Sequence, residues 1–304
     1  MIIQKEKEDL GEDQNKMGDL ATFKKEFDIH LKKFLESKIS NIKHHTKNRF
    51  VIDYINHANE IAILGGKRIR PFIAYLSYFA FGGEEKEIIK VLVSLEIFHL
   101  FALIHDDIMD EDKIRHGIST SHLYIAQELK KRESKNYEHY GLSQAILVGD
   151  LFFSWAWEIL SLNSKNDVRK LFSEMVDETA IGQMLDIESK SNKNMSSDLM
   201  YEINYLKTAR YTFIYPLLIG ASLSRDLKVD EKKFLKELGL NLGMAFQAQD
   251  DIFDSDNEKH IESQKKLIKF NMENAKKLVE ESKMEKVYKE KFLEFIVVIE
   301  KRKF

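Results

Sequence analysis

Cysteine is absent from the 304 residues, so neither a disulfide framework nor a thiolate metal site is possible. Proline is almost absent. Two prolines and 13 glycines leave the chain without the turn punctuation that β-rich folds use. Charge of one sign is not in excess: a formal net charge of −3 gives no reason to expect nucleic acid or an acidic membrane as partner. Long hydrophobic runs are missing too. The oiliest stretch, Val91 to Ile104, is interrupted by Glu96 and His99 and falls short of the roughly 20 residues of a membrane span. The first twenty residues are too polar for a secretory signal and read as a flexible tail. These absences point to a soluble, cytoplasmic chain.

What is present is helical patterning. Leu, Ile, Lys and Glu dominate, and the 43% of hydrophobic residues suffices for a sizeable core. Apolar residues recur at spacings of three and four over 22–43, 48–63, 71–81, 85–110, 119–132, 142–162, 166–190, 197–224, 230–255, 266–283 and 286–302. Breaks fall at Gly65–Gly66, Gly82–Gly83, Gly117 and Asn163–Asn166, and Pro71 suits the first position of a helix. No repeat of 20 to 50 residues and no linker rich in Pro, Gly or Ser is found. The expectation is an all-α, single-domain bundle of ten to eleven helices over residues 21–304.

Two of these helices end in carboxylates. In the first, His99, Asp106 and Asp110 lie at i, i+7 and i+11, within about 40° of one another at 3.6 residues per turn, with Asp107 beside them. In the second, "FQAQDDIFD", Gln247, Asp250, Asp251 and Asp254 fall at i, i+3, i+4 and i+7 on one face. Each cluster reads D-D-x-x-D. With 50 acidic residues in the chain, three specified acidic positions recur by chance about once, so a single match is weak and a solvated helix end is its plain alternative. Two strict copies, both closing oily helices, are much more specific. Hard oxygen donors on rigid helices suit Mg²⁺, which is commonly held by one or two carboxylates plus the phosphates of a substrate. Two such clusters facing one another would need the metals to offset their mutual repulsion.

An anionic substrate calls for cations. "GGKRIRP" places Lys67, Arg68 and Arg70 at a loop-to-helix junction, where backbone N–H groups also favour anions. Arg115 follows the first cluster, and Lys207–Thr208 lies in the otherwise apolar "YLKTARYTF". Plainer readings exist: Arg70 as a surface ion pair, Lys207 as a snorkelling helix residue.

In this order, "GGKRIRP", "EIFHLFALIHDDIMDEDKIRHG", "AILVGDLFF", "IGQMLDIE", "KTA" and "FQAQDDIFD" resemble the trans-isoprenyl diphosphate synthase (polyprenyl synthetase) family, of the geranylgeranyl and farnesyl diphosphate synthase kind, over residues 25 to 256. The resemblance implies an all-helical fold around a deep central cavity, with the two motifs facing across its mouth. It implies condensation of isopentenyl diphosphate with an allylic diphosphate, about three Mg²⁺ per site, and a homodimer. Asp106, Asp107, Asp110, Asp250 and Asp254 would bind the metals, with Asp251 in the second catalytic cluster. Arg115, Lys207, Thr208 and Gln247 match allylic-site positions. Lys67, Arg70 and His99 match the isopentenyl pocket, Arg68, His116 and Phe246 are counted as substrate-binding with them, and Gln183 and Asp186 match a further polar pair, Asp186 as an added metal ligand.

The implied chemistry is ionisation of the allylic C–O bond, assisted by Mg²⁺ and cations on the leaving diphosphate, then attack by the alkene. No Ser, Cys or His nucleophile is required. The chain departs from the family pattern at His116, where a second arginine is usual. It departs again after Asp254, where a shortened segment leaves Lys259, Lys265 or Lys266 to replace the usual lid lysine. In this family the product descends along the helix before the first motif. Phe98 and Phe101, sharing a helix face above the small Ala102, are the expected floor, which implies geranylgeranyl diphosphate first and farnesyl diphosphate second. Four rivals compete. A class I terpene cyclase would not need the strict second cluster or "GGKRIRP". A phosphohydrolase built on His105–Asp106 would leave the second cluster unused. An EF-hand reading of "DSDNEKHIESQKK" fails, because lysines occupy its glycine and glutamate positions. A non-catalytic subunit would be expected to have lost aspartates.

Overall fold

A computed structural model describes residues 19–85, 88–163, 165–191, 196–253 and 257–302. Most of the expected tail, and Asp254 of the second motif, lie outside the described residues. The described residues are helical nearly throughout. Its elements run α1 Leu20–His45, α2 Arg49–Leu64, α3 Ile69–Ala80, α4 Ile88–Met109, then β1 Ile114–Arg115 and β2 Ile118–Ser119. There follow α5 Ser121–Lys131, α6 Tyr137–Asn163, α7 Asn166–Ser191 and α8 Ser197–Ile203. A π-helical segment, Asn204–Ile214, leads into α9 Tyr215–Ser224, α10 Val229–Phe253, α11 Glu258–Glu281 and α12 Lys286–Glu300.

Several starts and stops have identifiable causes. Asn48 caps α2 by accepting from the backbone N–H groups of Phe50 and Val51. Pro71 is the third residue of α3 rather than the first, a position whose N–H has no intrahelical partner to lose. The π segment has its cause in Pro216. A proline ring clashes with the carbonyl four residues back and brings no N–H, so the register widens: Tyr215 N–H reaches the Arg210 carbonyl five residues away. Helix α11 begins eight residues before the expected 266, because Asn257 caps it through the N–H groups of Lys259 and His260. The small hairpin between α4 and α5 is an addition to the all-helical expectation. Its two-residue turn, His116–Gly117, has φ of 50° and 86°, the left-handed pair that a tight hairpin requires.

The chain forms two compact units. The first comprises residues 24–68 and 87–163. Here α4 packs along α6, and α5 packs against α6. Leu95, Ile97, Phe98, Phe152, Ala156 and Leu160 are buried among them. Counted as whole helices, α4 and α6 are long and apolar enough to cross a membrane by length and composition. The second unit holds residues 69–86 and 164–304 with the start of α1. Its core joins α3, the π segment, α9, α10, α11 and α12 around Phe72, Phe213, Leu217, Leu242 and Phe295. Glycine permits its close approaches: a Cβ on Gly220 would stand 2.0 Å from the Ala74 carbonyl oxygen, and one on Gly243 2.3 Å from the Ala209 Cα, so α9 meets α3 and α10 meets the π segment backbone to backbone.

Candidate active site

In the first unit, α4 delivers the first aspartate motif at its C-terminal end. Asp106 and Asp110 are partly exposed, and the Asp110 N–H closes a last turn on the Asp106 carbonyl at 2.8 Å. Asp107, one residue on, is rotated inward and is 1% exposed. Its Oδ1 accepts from Arg115 Nε at 2.8 Å and also from Nη2, while Nη2 donates to Asp112 Oδ2 at 2.9 Å. Burial, opposed by the Arg115 guanidinium, pushes the Asp107 carboxyl up to about 6. In this arrangement Asp107 ties the hairpin to α4, and Arg115 is shared between Asp107 and Asp112.

The glycine loop is built around a second buried ion cluster. Arg68, 2% exposed and at φ 55°, donates from Nε to Asp28 Oδ1 at 2.7 Å. Its Nη1 donates to Glu96 Oε1 at 2.5 Å and its Nη2 to the Ala62 carbonyl at 2.7 Å. The Arg68 guanidinium thereby holds the loop from within, while Lys67 beside it is exposed. His116 is likewise a brace. Its Nδ1 donates to the Ile61 carbonyl at 3.0 Å, and its ring lies where a Cβ on Gly65 would be, 2.1 Å away. The residue that replaces the usual arginine therefore locks the hairpin to the glycine loop. His99 is partly exposed on α4. Phe98 is fully buried and Phe101 partly exposed, their ring centroids 5.4 Å apart, with Ala102 next to Phe101. Phe153 of α6 completes this cluster at 5.2 Å from Phe101, a contribution from a distant helix that local spacing did not reveal.

In the second unit, the close approach of α10 to the π segment assembles a hydrogen-bonded chain. Thr208 Oγ1 donates to Gln247 Oε1 at 2.7 Å, and Gln247 Nε2 donates to Asp251 Oδ1 at 2.9 Å. Lys207, one position earlier on the π segment, donates to Asp186 Oδ2 at 2.8 Å, with Lys190 at 3.6 Å from the same oxygen. Gln183 is partly exposed one turn before Asp186 on α7. Arg70 stacks over Tyr211 at 4.1 Å and donates from Nη2 to Thr212 Oγ1 at 2.9 Å. Asp250 is bonded by Arg302, whose guanidinium lies 3.8 Å from the Phe246 ring centroid. Arg302 follows α12, 52 residues from its partner, and no local pattern announces it. The lid-lysine candidates Lys259, Lys265 and Lys266 are all exposed on α11, on a helix and not on a loop.

These donors fit Mg²⁺. Asp106 and Asp110 are accessible hard oxygen ligands, and Asp250 already draws a cation, with a guanidinium standing where a metal charge would serve. Among the described residues no three His, Asp or Glu side chains form a ready-made cage.

The chain matches the polyprenyl synthetase family over residues 53–287. It is 31% identical to a short chain isoprenyl diphosphate synthase of Methanocaldococcus jannaschii over 218 residues, covering 70% of this chain and 60% of that one. It is 32% identical to a geranylgeranyl diphosphate synthase of Sulfolobus acidocaldarius over 195 residues, covering 62% and 54%. The chain thus spans less than two thirds of these relatives. In fold it is similar to the geranylgeranyl pyrophosphate synthase of Corynebacterium glutamicum, solved with isoprenyl diphosphate and magnesium: TM-score 0.84, 23% identity, covering 94% of this chain and all of that one. The extent of the family match settles the classification: the chain belongs to the polyprenyl synthetase family.

Proposed function

We propose that the protein is a trans-prenyltransferase that condenses isopentenyl diphosphate with an allylic diphosphate. The observation that carries this reading is chemical. Both oily helices α4 and α10 present partly exposed aspartates at their C-terminal ends, in a chain of this family. In the first unit, Asp106 and Asp110 are the metal donors, and Lys67 and His99 receive the isopentenyl diphosphate. In the second, Asp250 and Asp254 are donors, Lys207, Thr208 and Gln247 serve the allylic diphosphate, and Arg70 serves the isopentenyl diphosphate. Bound Mg²⁺, three per site, supplies charge withdrawal from the leaving diphosphate. The chain's own part is to orient that group: the Thr208–Gln247–Asp251 relay fixes one set of donors, and the Lys207–Asp186 pair holds an ammonium in reserve nearby.

The relatives named above make geranylgeranyl and short-chain diphosphates, which supports geranylgeranyl diphosphate as first product and farnesyl diphosphate as second. The protein works in the cytoplasm without a membrane span, Glu96 being buried within α4 beside Arg68. It works as a homodimer, and exposed apolar side chains on α6, Tyr140, Leu142, Ile146 and Leu147, support the second copy. Purified protein incubated with labelled isopentenyl diphosphate, an allylic primer and Mg²⁺ will yield prenyl diphosphate. Absence of any elongated product across primers of five to fifteen carbons would overturn the reading.

A further inference from the structure

Arg302 is placed by more than its ion pair. Gln249, on α10 next to Asp250, donates from Nε2 to the carbonyls of Ile299 at 2.9 Å and Glu300 at 3.2 Å. These are among the last carbonyls of α12, which have no N–H four residues on within the helix. Lys276 of α11 holds the Glu300 carboxylate at 2.8 Å, and the Arg302 N–H turns back to the Ile299 carbonyl at 3.2 Å. The end of α12 is thus clasped to α10. The Arg302 guanidinium is delivered between the Phe246 face and Asp250, with only 7% of its side chain exposed, whereas that of Asp250 is 29% exposed. Asp251 faces its own partner, Gln247.

From this geometry we infer that Arg302 is an internal counter-ion that competes with the metal for Asp250, and so sets the metal requirement of the second aspartate motif. The inference rests on Asp250 being a metal donor, as proposed above. The guanidinium holds Oδ1 of Asp250. A divalent ion on this carboxylate must either displace that charge-assisted hydrogen bond, unseating a cation stacked on an aromatic ring, or bind beside a like charge. Before metal arrives, the guanidinium offsets the repulsion between neighbouring aspartates and holds Asp250 in one rotamer. Arg302 is a positioning residue on this reading. It raises the cost of metal binding and limits ordering of the motif to conditions in which metal and diphosphate arrive together.

The test uses Mn²⁺ as probe on the full chain without substrates, read as loss of the free-ion electron paramagnetic resonance signal. Arg302→Met keeps the apolar stack on Phe246 and removes the charge, and it should bind Mn²⁺ about tenfold more tightly. Arg302→Gln decides the matter should the Met variant fail to fold, with a gain of about threefold or more. Arg302→Lys, which keeps a cation, should stay closer to wild type than either. Unchanged or weaker Mn²⁺ binding in folded Arg302→Met or Arg302→Gln would overturn the inference. Asp250→Asn is the control. If it weakens Mn²⁺ binding, the metal reading of Asp250 stands and the Arg302 variants judge the inference alone. If it leaves binding unchanged, the metal reading itself falls and takes the inference with it.

Discussion

Replacing Arg68 with Met tests the account of the glycine loop. The guanidinium is 1% exposed as a side chain and serves three acceptors at 2.7, 2.5 and 2.7 Å on Asp28, Glu96 and Ala62. These acceptors do not suffer equally from its loss. Asp28 is about a third exposed and keeps Lys24 at 2.7 Å, so its contribution is small. Glu96 is 4% exposed, and leaving a buried carboxylate without its cation costs about 3–5 kcal/mol. The orphaned Ala62 carbonyl adds about 1 kcal/mol. Methionine fills the space, but it inherits the left-handed φ of 55° with none of the bonds that stabilise it. The expected loss is therefore about 5 kcal/mol, most of it located at Glu96. Urea denaturation followed by circular dichroism measures it, and a cycle with Glu96→Gln locates it. The double variant should cost clearly less than the sum of the singles, with a coupling of about 2 kcal/mol. A loss below about 1.5 kcal/mol for Arg68→Met, or simple additivity in the cycle, would refute the buried-triad argument.

Three further outcomes are expected. Asp106→Ala should abolish condensation with helix content unchanged, and turnover within about tenfold of wild type would contradict the metal role of the first motif. Phe101→Ala removes the partly exposed ring of the Phe98–Phe101–Phe153 cluster and should lengthen the products seen by chromatography; an identical product profile would exclude it as a floor. Glu231 is held down to about 2 by two Arg225 hydrogen bonds at 2.9 and 2.8 Å. Its stabilisation is therefore present above the unfolded value near 4.5 and lost as pH falls toward 2. Glu231→Gln should cost about 1 kcal/mol at pH 7 after solvent screening, the deficit closing on acidification. A deficit that is flat from pH 7 to pH 3 would count against the ion pair.

The fold was readable where physics is local. Apolar spacing follows the helical period, so most helices fell within a few residues of their expected bounds, and the breaks at Gly66, Gly82 and Gly117 coincide with positive φ. The same periodicity displayed two aspartate stripes. It did not say which aspartate of the first stripe faces inward. Asp106 and Asp107 differ by a 100° turn, and the hairpin that carries Arg115 back to Asp107 decides between them. Lys67 and Arg68 are adjacent cations that any sequence pattern treats alike. The buried Glu96, 28 residues away, claims one and leaves the other outside. The start of α11 was missed because its first turn is polar and is held by a cap rather than by an apolar face. Helical period, capping residues and proline clashes act over a few positions and can be read along the chain. Ion-pair partners such as Arg302 and Asp250 are chosen by burial, which exists only once distant segments have packed and water has been excluded from around the charge.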